Sequence, residues 1–324
     1  MPTNLAAPLT AITLSALVLG GCGWEQYRVT EHRVWQLDEQ SPLAVEIGSK
    51  HGSVSVAPHG TPLPSWAEDE LFRTSVNPDG VLIVAQLRSS DQWRLDEVLL
   101  SPELAGDQLR LKAEWPGRGK DGVSYAVRVP QSAYAADVQT GHGSILIESI
   151  ISNVTIDSGH GSISVSDIGG DLNAHSGHGG FDITGVGGNV EIYSGHGSLG
   201  LRDIAGTVDA RTGHSSIRVS DSAGPLNLRT GHGSISIDRR GPDTAPIVAR
   251  TGHGSISVRT ETPLEQGVAA TTGHGRVYLD LPSGGRIDAK RSAKVTSDAG
   301  ETAHSLVTGH GSISVKVERA DAGE

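Results

Sequence analysis

The sequence predicts an all-β chain. The expected fold is a single-chain parallel β-solenoid (β-helix) of about ten 18–21-residue coils, with an N-terminal β cap region. Three observations predict it. First, nine Gly-His dipeptides punctuate the last 190 or so residues. His142, His160, His178, His196, His214 and His232 are 18 residues apart, His253 and His274 follow at 21, and His310 comes 36 later, two periods on. Second, each unit holds two short runs that alternate apolar and polar, the period-two mark of a strand. In one unit Ile163 and Val165 point inward with Ser164 outward, then Leu172, Ala174 and Ser176 inward with Asn173 and His175 outward. Third, glycine-rich corners separate the runs, and aromatic content is only 4%, which suits a narrow core and leaves no room for a helical repeat.

The elements follow in chain order. Leu5–Leu19 is an apolar stretch of about 15 residues, short for a bilayer span and matched to a signal-peptide core. It ends in Leu19-Gly20-Gly21-Cys22, which resembles a bacterial lipobox, although no Lys or Arg precedes it. Residues 1–21 are therefore expected to be a lipoprotein signal peptide and Cys22, the lone cysteine, the lipidation site. Gly23 rather than Asp follows it, and the resemblance to Gram-negative lipoproteins then implies the outer membrane. Residues 22–40 read as a tether.

Residues 41–135 read as an N-terminal β region and cap. All five Trp lie before residue 116. Val45–Val56 carries the repeat pattern with Lys50 for the first glycine, a divergent first coil. Runs at 81–87, 108–113 and 125–129 read as further strands. A solenoid exposes a ladder edge at each end, so a cap is expected there. Residues 136–317 are the solenoid repeats. Ser292-Ala293-Lys294-Val295 falls where a skipped His-Gly-Ser-Ile would stand, and reads as a degenerate coil. The two three-residue additions, within 239–244 and 260–265, contain Pro and are placed in loops opposite the histidine corner. Residues 318–324 are a charged tail.

The run "LAVEIGSKHGSVSV", then "VRVPQSAYAADVQTGHGSILI", then the tandem Thr-Gly-x-Gly-Ser-Ile-Ser-Val units resemble the bacterial putative-adhesin family of unknown function, over roughly residues 40–317. The resemblance implies a single-stranded β-solenoid and carries no catalytic residue. This chain departs from the family pattern by placing His between the two glycines.

The candidate site residues are columns. In register, His142, His160, His178, His196, His214, His232, His253, His274 and His310 would form a ladder with neighbours about 5 Å apart. One reading is weak binding of a divalent transition metal such as Zn²⁺, Cu²⁺ or Ni²⁺. The other is plain stacking at an exposed turn, since four zinc ligands are wanted and the repeat supplies neither Cys nor a regular Asp or Glu beside the His. Arg211, Arg229 and Arg250 share one outward column and could form an anionic-ligand stripe, or be solvated cations. The Ser or Thr two residues before each His is expected to form a buried hydroxyl ladder that satisfies turn backbone groups.

No catalytic residue is expected. Asp167, Asp182, Asp203 and Asp221 sit near corners without a convergent partner. Net charge is −11 with no basic block, which argues against nucleic acid. The expectation is a non-catalytic, lipid-anchored cell-envelope protein with an adhesin-like binding or scaffolding solenoid and no cofactor. Its partners would be the membrane, through the lipid, and an envelope glycan or another envelope protein. The alternative is a metal-binding or pH-responsive His-ladder protein of the envelope, and the remote one a polysaccharide-active β-helix enzyme.

Overall fold

The computed structural model describes residues 10–14 (backbone alone), 29–37, 43–68, 80–119, 121–131, 133–240, 245–262, 264, 266–280, 285–296 and 303–317. Cys22 and the charged tail lie outside them. The chain is all-β, mostly in parallel ladders, and divides into two compact units, residues 1–164 and 165–324.

In the first unit, Ala44–His51 pairs in parallel with Ala135–His142, which pairs in parallel with Val154–His160. The register is the 18-residue period: Val138 sits beside Ile156 and His142 beside His160. Ile47, Val138, Ile145 and Ile156 are buried, as the alternation predicts. The stacking order is not the chain order, however. Gln108–Glu114 and Gly122–Val129 lie on the far side of Ala44–His51 and Val54–Pro58, in parallel with them. The unit read as the first coil is therefore second in its stack. Outside it, Val81–Ser89 runs antiparallel to Gly122–Val129, and Val29–Leu37 antiparallel to Val81–Ser89. Of the expected signal segment only Thr10–Leu14 is described, as a strand antiparallel to Val29–Leu37.

In the second unit, strands 172–176, 190–194, 208–212, 226–232 and 247–253 stack in parallel, one period per step. Their partners Phe181–Val186, Leu199–Ile204, Ile217–Ser222, Ile235–Arg239 and Ile256–Thr260 do the same. Phe181, Leu199, Ile217, Ile235 and Ile256 form one buried column, and Ala174, Ile192, Ala210, Leu228 and Ala249 the other.

The order changes again at the end. His304–His310 pairs with Ile247–His253 on one side and with Val268–Asp280 on the other, all in parallel. Ile313–Val317 lies likewise between Ile256–Thr260 and Val268–Asp280. The last segment of chain is thus inserted inside the stack. Ser292–Val295 is not the degenerate coil that its spacing suggests. It belongs to Arg286–Val295, an antiparallel strand laid along Val268–Asp280, so residues 136–317 are not parallel throughout. The reason is the edge problem: an open ladder templates further pairing, and a charged strand blunts it. Lys290, Arg291 and Lys294 supply that charge on Arg286–Val295.

Two corner devices set the period. At the corner opposite the histidines, Ser149, Asp167, Gly185, Asp203 and Asp221 recur every 18 residues, all at positive φ between 52° and 71°. Only Gly, Asn and Asp visit that region readily, so these aspartates are turn residues. At the histidine corner, Gly161 has φ +124°, and a Cβ there would lie 2.2 Å from the Gly143 carbonyl oxygen of the adjacent unit. At Gly161 the backbones approach too closely for any side chain but hydrogen, whereas Ser215, at the equivalent position after His214, is accommodated and donates its hydroxyl to the His196 carbonyl at 2.6 Å.

Candidate functional site

The histidine corners bring imidazoles into stacked columns. In the first unit His51, His142 and His160 stand in register, with ring centroids 4.9 Å and 4.6 Å apart. His51 belongs to this ladder although it lacks the preceding glycine. Its Lys-His-Gly-Ser run was the available clue, but the Gly-His count passed over it. In the second unit the order is His178, His196, His214, His232, His253, His310, His274, with centroids 4.7–5.1 Å apart and planes within 3–11° of parallel. The spacing is that of the strands beneath. The rings are exposed apart from His51, which is half-buried.

Buried hydroxyls hold the corner. Thr212 Oγ1 donates to the Gly197 carbonyl at 3.0 Å, Thr251 to Gly233 at 2.8 Å, Thr308 to Gly254 at 2.8 Å and Thr272 to Gly311 at 2.7 Å. Ser176 and Ser194 accept the amides of Gly179 and Gly197. The hydroxyl ladder is thus structural at these positions, as its spacing predicts, while Ser158 Oγ is buried without a partner among the described residues. The serines after the corner are linked as well. Ser234 N–H donates to Ser216 Oγ, Ser255 N–H to Ser234 Oγ, and Ser312 N–H to Ser255 Oγ, each at 3.3 Å.

Parallel rings do not chelate. Two imidazoles sharing one zinc need Zn–N distances of about 2.0–2.1 Å, and rings 4.6–5.1 Å apart face to face aim their in-plane lone pairs side by side. Among the described residues, no group of three or more His, Cys, Asp or Glu is placed to hold a metal ion. A metal would require the rings to fan out of the stack.

His51 ends its ladder against a buried ion pair that sequence reasoning missed. Arg94 and Asp121 are both buried and bonded to each other, and Ser89 Oγ donates to Asp121 at 2.7 Å. Burial alone would raise the Asp121 carboxyl, but the bonds from Arg94 and Ser89 hold it below the usual carboxylate range. Nothing local in the sequence links Arg94 to Asp121. For His51, burial, then His142 and Lys50, lower the imidazole below the ordinary value, against a smaller raising effect of Asp121. A folded pKa below the unfolded one means that the unfolded chain binds more protons. The stability tied to His51 is complete above pH 6.5 and is lost as pH falls through the folded value. Melting temperature measured from about pH 7.5 down to about pH 5 should therefore fall more for the parent than for His51→Asn. Equal slopes would show that His51 carries none of the acid sensitivity.

Arg211, Arg229 and Arg250 are also brought together, in register on consecutive exposed positions. Arg211 is held by Asp209 through two bonds of 2.9 and 2.8 Å, and Arg229 reaches Asn227 at 3.3 Å. Tyr193, 52% exposed, stands in the same column between His175 and Arg211. The sequence reading did not single it out, and only the register places it there.

No family model and no curated protein matches the chain. Among solved structures it is similar to a putative adhesin of Bacteroides fragilis, at 12% identity and a TM-score of 0.39, covering 91% of this chain and 100% of that one. It is similar to a putative adhesin of Parabacteroides distasonis, at 10% identity and TM-score 0.34, covering 96% and 98%. It is similar also to a putative cell adhesion protein of Clostridium sporogenes, at 12% identity and TM-score 0.26, covering 89% and 99%.

Proposed function

We propose that the chain is a non-catalytic, lipid-anchored protein of the bacterial cell envelope, seated in the outer membrane. Its body is a β-solenoid of 18–21-residue coils that works as an adhesin-like binding or scaffolding surface for an envelope glycan or another envelope protein. One observation carries this reading: the exposed side chains repeat in register from unit to unit, as in the column Tyr193, Arg211, Arg229, Arg250. A surface that repeats every strand spacing suits a ligand that also repeats. The corner aspartates fit turn roles and do not converge on a reacting centre. A second reading, a pH-responsive histidine ladder, is favoured by ring stacking at 4.6–5.1 Å.

Anchoring is tested at Cys22. The substitution Cys22→Ala should leave an unlipidated precursor that no longer partitions with membranes, read by fractionation and intact mass. Unchanged partitioning and unchanged modification would remove the lipid anchor from the reading.

A further inference from the structure

We propose that His214, His232 and His253, together with Arg211, Arg229 and Arg250, form one two-row track for a linear polyanionic polysaccharide lying along the stacking direction. The proposal rests on the binding-surface reading above and names its ligand class. The three histidines stack at 5.1 and 4.8 Å with planes within 10°. The three arginines pair in register on Val208–Thr212, Leu226–His232 and Ile247–His253, three residues before each histidine. All six are exposed, and only a buried Thr and a glycine separate Arg from His on each strand. The array therefore offers two cation positions per stacked unit at a constant step.

With Asp209, Glu191 and Arg218 counted in, the three arginines still leave the array cationic, on a chain whose net charge is −11. On the strands that carry the array, Asp209 is the acid, and it is bound to Arg211. On the strands that follow the corners, Arg218 lies nearest. Asp221, Asp238, Arg239 and Arg259 stand at the far ends of those strands, toward the opposite corner. Of the flanking strands, Val190–Ser194 contributes Glu191, and His304–His310 contributes only its two histidines. Near neutrality the track is a row of arginines. Beside it, at the same step, runs a row of the side-chain type that can add cationic charge in mild acid. A polyanion lying along both rows is therefore expected to bind more tightly as pH falls. Arginine forks suit carboxylate and sulfate oxygens.

The ligand is a glycan rather than a nucleic acid because the imidazole rings stack face to face on one another, so the row presents ring edges and no free face on which bases could stack. Tyr193 stands at one end of the arginine column, edge to face with His175 beyond it, and is a ring against which the C–H face of a sugar can rest.

The test uses the purified full chain and fluorescent polygalacturonate at low salt, at about pH 5 and about pH 7.5. The parent should bind about tenfold tighter at the lower pH, and neutral dextran should not bind. The triple variant Arg211→Gln, Arg229→Gln, Arg250→Gln should lose binding at both pH values, while the matching Lys triple keeps most of it. The triple variant His214→Asn, His232→Asn, His253→Asn should retain neutral binding and lose the acid gain. Equal affinity at both pH values in the parent, or indifference to both triples, would overturn the track. A single-stranded DNA oligomer that binds as tightly would overturn the glycan assignment. Sedimentation with isolated envelopes separates the two levels. A parent that sediments but ignores polygalacturonate ends the track and leaves the surface reading. A parent that does neither ends both.

Discussion

A chain ended after Gly300 is expected to melt well below the full chain. The truncation removes His304–Val317, which is not an end piece. That segment lies between Ile247–Thr260 and Val268–Asp280 and pairs with both. Its Leu306, Ile313 and Val315 are buried, and each such side chain is worth about 1.5–3 kcal/mol. Four strand pairings are lost as well. Val268–Asp280 keeps its antiparallel partner Arg286–Val295 but loses its parallel one. The expected drop in melting temperature is on the order of 10 °C, and hydrogen exchange should show Val268–Asp280 unprotected in the truncated chain. An unchanged melting temperature, with Val268–Asp280 protected, would mean that it docks directly on Ile247–Thr260 once the last segment is gone.

The second large effect is inside the apolar column. Ile235 is fully buried, in register between Ile217 and Ile256. In Ile235→Asp, a lone carboxylate would stand between two isoleucines. The cost is about 4 kcal/mol or more, among the largest single-residue effects known. Because each unit buries the next, the damage spreads to the units on either side. Ser236→Asp, one position later, faces outward and lies beside Arg218. It should change stability by less than about 1 kcal/mol. Denaturant melts of both variants decide it: equal losses would show that the inward and outward assignments are interchanged.

How much of this was legible follows from what a repeat encodes. The alternation Ile-Ser-Val and Leu-Asn-Ala separates core from surface because strand side chains alternate faces. The buried Ser or Thr before Gly-His was legible for the same reason, since a polar residue at an inward position must find backbone partners. The corner aspartates were visible, but their backbone conformation was not. Asp167 could have been read as a solvated acid, and only its φ of +58° makes it a turn residue. The ion pair Arg94–Asp121 was beyond reach, because its members come from a helix and a loop brought together outside the periodic part of the chain.

By itself the sequence determined the period, the two buried columns, the hydroxyl ladder and the alignment of the histidine corners. Each of these is local: it depends only on which face a residue takes and on the 18-residue step. The tertiary structure alone decided the order of the units at the ends. It put Gln108–Val129 outside Ala44–Pro58, His304–Val317 inside Val268–Asp280, and Arg286–Val295 antiparallel along the last edge. The physical reason is that equivalent units present equivalent ladders. Any unit can pair with any other in the same register, so periodicity holds no information about neighbours. Which unit sits outermost is set by the non-repeating segments that must cover the exposed ladder edges.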